Sequence, residues 1–221
     1  MDRVIKAEPF DFKCDPNSTA LIVIDMQRDF VLKGGFGEAL GNDVSPMQKA
    51  ITPISKLLEC CRKLNMLIIH TREGHRPDLT DCPPAKLSRG GKTFIGTKGP
   101  MGRILVRGEY GHDIIDELYP LKGEVIIDKP GKDAFFATDL HLILINKGIK
   151  SLIICGVTTE VCVQTTARAA NDRGYELIIP KDACASYFPE FHEATLKMIS
   201  AQGAIVGWVS NTDSIIGSLQ D

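Results

Sequence analysis

Three residues able to do covalent chemistry stand in matching positions, each just beyond an apolar run. Asp25 closes "ALIVID" (20–25), Lys129 follows "EVIID" (124–128), and Cys162 lies past "SLIICG" (151–156) in "GVTTEVCVQTTARAA". An ionised thiol is a strong nucleophile, a carboxylate can take its proton, and an ammonium can stabilise the charges that form. The set therefore suits attack on a carbonyl. Each residue also has an ordinary reading: Asp25 as a turn former, Lys129 as a solvated cation, Cys162 as a small apolar residue. Only convergence in space separates the two readings.

Cys162 sits near the start of a helical pattern, with Thr159 as the expected N-cap. The positive end of the helix dipole favours a thiolate there, and unpaired N–H groups can face an oxyanion. Cys155 falls inside an apolar run and is expected to be inert. Of five histidines, His141 and His192 read as ordinary helix residues, whereas His70 ends a strand and leaves a Cys–His arrangement open. No HxH or HExxH pairing suggests a metal.

The elements that would position these groups are legible as continuous apolar runs. They lie at 20–25, 66–70, 124–128, 151–156, 175–180 and 204–210, the pattern of strands covered on both faces. Helical patterns lie between most of them. One opens at Ser45 as N-cap with Pro46 in its first turn, and others end on Gly148, Gly174 and Gly203. The alternation predicts a three-layer α/β/α fold with a mostly parallel six-stranded sheet, and one domain over 1–221. Ligands of such sheets bind beyond the carboxyl ends of the strands, which puts Asp25, Lys129 and Cys162 on one rim. Residues 71–110 form the one long irregular stretch, rich in Gly, Pro, Arg and Lys, and read as a functional loop.

A net charge of −2 with no run of one sign gives no basis for binding nucleic acid or an anionic membrane. No apolar run is long enough to span a bilayer, and residues 1–16 lack the apolar core of a signal peptide, so the expectation is a cytoplasmic protein. Seven cysteines, an odd number at irregular spacing and without a CxxC pair, read as reduced thiols.

The stretches "ALIVIDMQRDF", "DKPGKDAFFATDL" and "IICGVTTEVCVQTTARAANDRGYELIIPKDA" resemble, in order and spacing, the isochorismatase-like cysteine hydrolases over residues 18–210. The resemblance implies that Asp25, Lys129 and Cys162 are a catalytic triad. It also implies a cis peptide at Val157–Thr158, an oxyanion hole from the N–H groups of Thr158 and Cys162, no cofactor, and a homotetramer. "TREGHRPDLTDCPPAK", "DKPGKDAFFATDLHLIL" and Gln202 in "SAQGAIVG" are most similar to the biuret hydrolase branch. That similarity implies hydrolysis of biuret to allophanate and ammonia through a thioester, with Lys132 and Gln202 holding the urea-type substrate and Phe30 as a wall. The alternatives are triuret, ureidoacrylate or an N-carbamoyl compound; for Gln202 the plain alternative is a solvated helix end. The metal-binding Asp and His residues of the nicotinamidase branch are missing, so no metal is expected. A scaffold that has lost its triad is disfavoured, because all three positions are filled.

Overall fold

The structure, a computed structural model, describes residues 2–88 and 95–220. Its strands are β1 (Arg3–Ile5), β2 (Phe12–Cys14), β3 (Thr19–Ile24), β4 (Leu67–Glu73), β5 (Lys98–Gly99), β6 (Gly102–Arg103), β7 (Val125–Lys129), β8 (Ser151–Val157), β9 (Glu176–Pro180), β10 (Cys184–Ala185) and β11 (Trp208–Ser210). The helices are α1 (Arg28–Val31), α2 (Phe36–Ala39), α3 (Ser45–Gln48), α4 (Ile51–Lys63), α5 (Pro84–Leu87), α6 (Leu140–Asn146), α7 (Gln164–Asn171), α8 (Pro189–Ala204) and α9 (Thr212–Gln220). A π-helical turn, Thr159–Val163, leads into α7.

The architecture is three-layer α/β/α. The central sheet runs β11-β9-β8-β3-β4-β7, with β10 pairing β8 beside this path, and every pairing in it is parallel. Every residue of β3 and β8 is buried, as their unbroken apolar sequence requires. The seventh strand is two residues long, too short to show as an apolar run. Helix α4 packs on β3, β4 and α9, while α7 lies on β9 and α8 on β11. From β3 the chain first winds outward through β4 and β7, then returns to β8 on the other side of β3. The β3/β8 boundary is thus the switch point where ligands of such sheets bind.

Five sequence expectations are corrected. The helix expected from Ser45 divides into α3 and α4, because Pro53 has no N–H and its ring crowds the carbonyl of Lys49. Ser45 is the first helical residue, not the cap, and its N–H donates to Asp43 Oδ1 at 2.9 Å. Strand β4 continues past His70 to Glu73. The run 204–210 contributes only Trp208–Ser210, because Gln202, Gly203 and Ala204 take left-handed φ of 53°, 73° and 62° as α8 ends. The irregular stretch expected over 71–110 begins in β4 and carries α5 and the β5–β6 hairpin; residues 89–94 lie outside the described part. No described helix is long and apolar enough to cross a membrane.

Candidate active site

Four adjacent strands, β8, β3, β4 and β7, deliver Cys162, Asp25, Glu73 and Lys129 to one rim. Each arrives by local geometry. Asp25 follows β3 at φ 49°, a left-handed conformation that Asp tolerates better than most residues, and its N–H donates to the Thr71 carbonyl at 3.2 Å. Glu73 and Lys129 are register partners at the ends of β4 and β7. Gly156 is at φ 114°, and a Cβ there would meet the Ile24 carbonyl oxygen at 2.1 Å, so only glycine lets β8 pass β3 this closely. The Val157–Thr158 peptide is cis, and Cys162 follows on the π-helical turn.

The side chains form one buried cluster. Lys129 Nζ is 2.7 Å from Asp25 Oδ2 and 3.9 Å from Glu73 Oε2, and it donates to the Gly131 carbonyl at 2.8 Å. The Thr71 hydroxyl donates to Asp25 Oδ1 at 2.6 Å. The Cys162 thiol donates to Glu73 Oε2 at 3.4 Å, while Lys132 donates to Oε1 of the same carboxylate. Gln27 braces Glu73 through its backbone, accepting from the Glu73 N–H at 2.7 Å and donating to its carbonyl at 2.9 Å. Asp25, Glu73 and Lys129 are each fully buried.

Burial raises the Cys162 thiol pKa well above its ordinary value; Lys129 opposes this, but Asp25 and Glu73 reinforce it. The resting group is therefore a neutral thiol, against the thiolate that the helix start alone would favour. Burial also works against the Lys129 ammonium, yet Asp25, then Cys162 and Glu73, outweigh it and raise its pKa. For Glu73 burial is again the largest single influence, but Lys129 and Lys132 together overcome it and hold the carboxylate below its usual range. Oxygens of Asp25 and Glu73 and the Cys162 sulfur lie within 4.8 Å of one another, close enough to share a metal ion. The Lys129 ammonium already supplies positive charge to that group, so these donors do not call for one.

Above the cluster opens a pocket of 290 Å³. Asn42, Glu73, Lys132, Thr158, Glu160 and Cys162 line its polar part, and Phe30, Phe36, Leu40, Tyr187 and Phe188 form much of the rest. Phe36 meets Phe30 edge-on, with ring centroids 6.0 Å apart.

The fold brings together Asp25, Lys129, Cys162, Thr158, Phe30 and Lys132, as the sequence suggested. It does not bring Gln202. That residue is exposed and outside the pocket lining, because helix α8 runs away from the rim and a dozen residues of helix span about 18 Å. His70 is also elsewhere: three residues short of the rim, its Nε2 lies 2.9 Å from Glu124 Oε2. Cys155 is packed in β8 with its thiol 3.7 Å from the Ile22 carbonyl, in line with the inert role expected of it. Thr159 is not a side-chain cap; its hydroxyl lies 2.9 Å from His192 Nδ1 on α8. Glu73 is the residue that sequence reasoning missed. Extending the run at 66–70 by the three polar residues of "TRE" would have carried it to the rim.

The cluster thus sits at the switch point of a mostly parallel three-layer α/β/α sheet. The isochorismatase domain family matches residues 19–212, and the chain belongs to it. It is 32% identical over 224 residues to ureidoacrylate amidohydrolase RutB of Acinetobacter baylyi, covering 99% of this chain and 90% of that relative. Among solved structures, a cysteine hydrolase from Pseudomonas syringae pv. phaseolicola matches with TM-score 0.78 at 26% identity over 94% of each chain. An isochorismatase family protein from Desulfovibrio vulgaris matches with TM-score 0.76 at 26% identity, covering 92% of this chain and 99% of that one.

Proposed function

We propose that the protein is a cysteine-dependent amidohydrolase that cleaves the terminal C–N bond of a small ureido compound. The observation that carries this reading is a buried thiol donating to a carboxylate that two ammonium groups flank, at the floor of a pocket. In this reading the thiol proton passes to the Asp25–Glu73 carboxylate pair as sulfur attacks the carbonyl. Glu73 is the direct acceptor in the resting geometry, and Asp25 is braced by Lys129 and Thr71. Burial disfavours a free resting thiolate, so the proton passes to the hydrogen-bonded carboxylate as the substrate engages. The oxyanion is assigned to the backbone N–H groups of Thr158 and Cys162. The tetrahedral adduct collapses, the carboxylates return the proton to the leaving ammonia, and a carbamoyl thioester remains. Water, deprotonated by the same carboxylates, attacks that carbonyl, restoring the thiol and releasing an N-carboxy product.

The apolar wall of Phe30, Phe36, Leu40 and Phe188 suits a ureido group carrying a carbon arm, and the ureidoacrylate amidohydrolase relative points the same way. Biuret, amide throughout its length, is the second reading; Lys132 in the pocket favours it, but Gln202 lies outside. Ammonia release from ureidoacrylate, biuret, triuret, N-carbamoyl amino acids and nicotinamide tests both. The expected result is a kcat/KM for ureidoacrylate at least about tenfold above that for biuret, abolished in Cys162→Ala and retained in Cys155→Ala. A preference for biuret would reverse the ranking, and full activity in Cys162→Ala would end the cysteine mechanism.

A further inference from the structure

We propose that His192 is a positioning residue for Cys162, holding through Thr159 the turn that carries the thiol and the Thr158 and Cys162 amides. The inference rests on the reading of Cys162 as nucleophile and adds a residue on α8, outside the charged cluster.

The π-helical turn is tied from within by backbone bonds alone. The Thr158 carbonyl accepts from the N–H groups of both Val161 and Val163, each at 3.2 Å, and no side chain caps the turn. A wide turn of this kind is rare and recurs at functional sites. Among the described residues, two side-chain hydrogen bonds join it to other elements: Cys162 to Glu73, and Thr159 to His192. The first involves the reacting atom and breaks when the thiol loses its proton. The second remains throughout the reaction.

Thr159 is fully buried, directly follows Thr158 and precedes Cys162 by three residues. A shift of its side chain is therefore passed to both amides and to the sulfur. His192 is well placed to resist such a shift. It sits in the first turn of α8, its N–H donates to the Phe188 carbonyl at 3.2 Å, and α8 packs on the turn. Burial lowers the imidazole pKa, which keeps the ring neutral. In the tautomer with the proton on Nε2, Nδ1 accepts from the Thr159 hydroxyl. His192 also borders a separate cavity of 410 Å³ with Asp182, Ser186 and Glu193, residue types that can accept a hydrogen bond from the Nε2 proton. The same stretch of chain supplies Phe188 to the catalytic pocket, so pocket wall and thiol-bearing turn share one anchor.

The test compares His192→Leu, His192→Asn, Thr159→Val, Thr159→Ser and the Leu/Val double variant. Asn retains an acceptor near the position of Nδ1, and Ser retains the hydroxyl. Three quantities are measured: kcat and KM on the best ureido substrate, the alkylation rate of Cys162 by iodoacetamide, and thermal unfolding. Displacing a nucleophile by an ångström costs up to about a hundredfold. His192→Leu and Thr159→Val should each lower kcat by about ten- to a hundredfold, with KM within about threefold. The double variant should be no worse than either single one, because both remove the same bond. His192→Asn and Thr159→Ser should stay within about threefold of wild type. Should His192→Leu fail to fold, the nearly isosteric Thr159→Val decides alone. A wild-type kcat in folded Thr159→Val, multiplicative losses in the double variant, or an Asn variant as impaired as Leu would each overturn the proposal. If wild type releases no ammonia from any ureido compound, the proposed activity falls, but alkylation still tests the positioning. There, Leu and Val should change the rate by a common factor that Asn and Ser restore, and unchanged rates in all four would refute it.

Discussion

Replacing Glu73 by Gln keeps shape and hydrogen-bonding capacity but removes one of two carboxylates that face two ammonium groups. Lys129 retains Asp25 at 2.7 Å, and Lys132, whose side chain is 40% exposed, can turn to water. Breaking a fully buried pair costs about 3–5 kcal/mol, and these two escapes reduce the expected loss to about 1–3 kcal/mol. Because the Glu73 pKa is held below its unfolded value, that stability is fully present above the unfolded pKa. It fades as pH falls through the folded value, so the two proteins converge in acid. Catalysis should suffer more than stability. A lost proton acceptor is worth about 10²–10⁴ in kcat, or roughly 3–5 kcal/mol. Alkylation of Cys162 should move the opposite way. The carboxylate is 3.4 Å from the sulfur and disfavours the thiolate by about 5 kcal/mol at an effective dielectric of about 20, most of it cancelled by the attached Lys132. Its removal should therefore speed iodoacetamide capture at pH 8 by about tenfold, which corresponds to roughly 1.4 kcal/mol. The assay pairs ammonia release with mass-spectrometric alkylation rates in the same preparations. A kcat within tenfold of wild type, or slower alkylation in Glu73→Gln, would refute the assignment of Glu73 as proton acceptor.

Three further outcomes are expected. Since burial raises the Cys162 pKa, its alkylation rate in wild type should keep climbing through pH 9, and a plateau below pH 8 would mean a resting thiolate. Activity should survive exhaustive chelation, because Lys129 and Lys132 together already balance the two carboxylates of the Asp25–Glu73–Cys162 group; loss to chelator with recovery on adding zinc would contradict this. Gln202→Leu should leave kcat/KM within about twofold on every ureido substrate, whereas a tenfold loss on biuret alone would restore its place in the site.

Much of the scaffold was legible because parallel strands covered on both faces must be apolar throughout. Four of the six runs marked strands whose extents were close, and the rim rule then converted three strand ends into one site from Asp25, Lys129 and Cys162. Glycines that end helices, at Gly148 and Gly174, were equally plain, with φ of 65° and 83°. What remained hidden depends on partners distant in sequence. "TRE" looks like loop by polarity, yet it is strand: Arg72 pairs with Asp113 and Asp128, and Glu73 with Lys129 and Lys132, neutralising charges that an apolar pattern cannot register. The protonation state of Cys162 was undecidable from its helix position. The dipole favours thiolate, whereas burial and two carboxylates favour thiol, and only their spatial sum has a sign. The exclusion of Gln202 and the bond from Thr159 to His192 follow from the direction in which α8 leaves the rim, which three-dimensional packing sets and local sequence does not. The chain thus specified by itself which strand ends could react. Tertiary structure decided which carboxylate meets the thiol and what braces it, because electrostatic partnership is a property of distance in space.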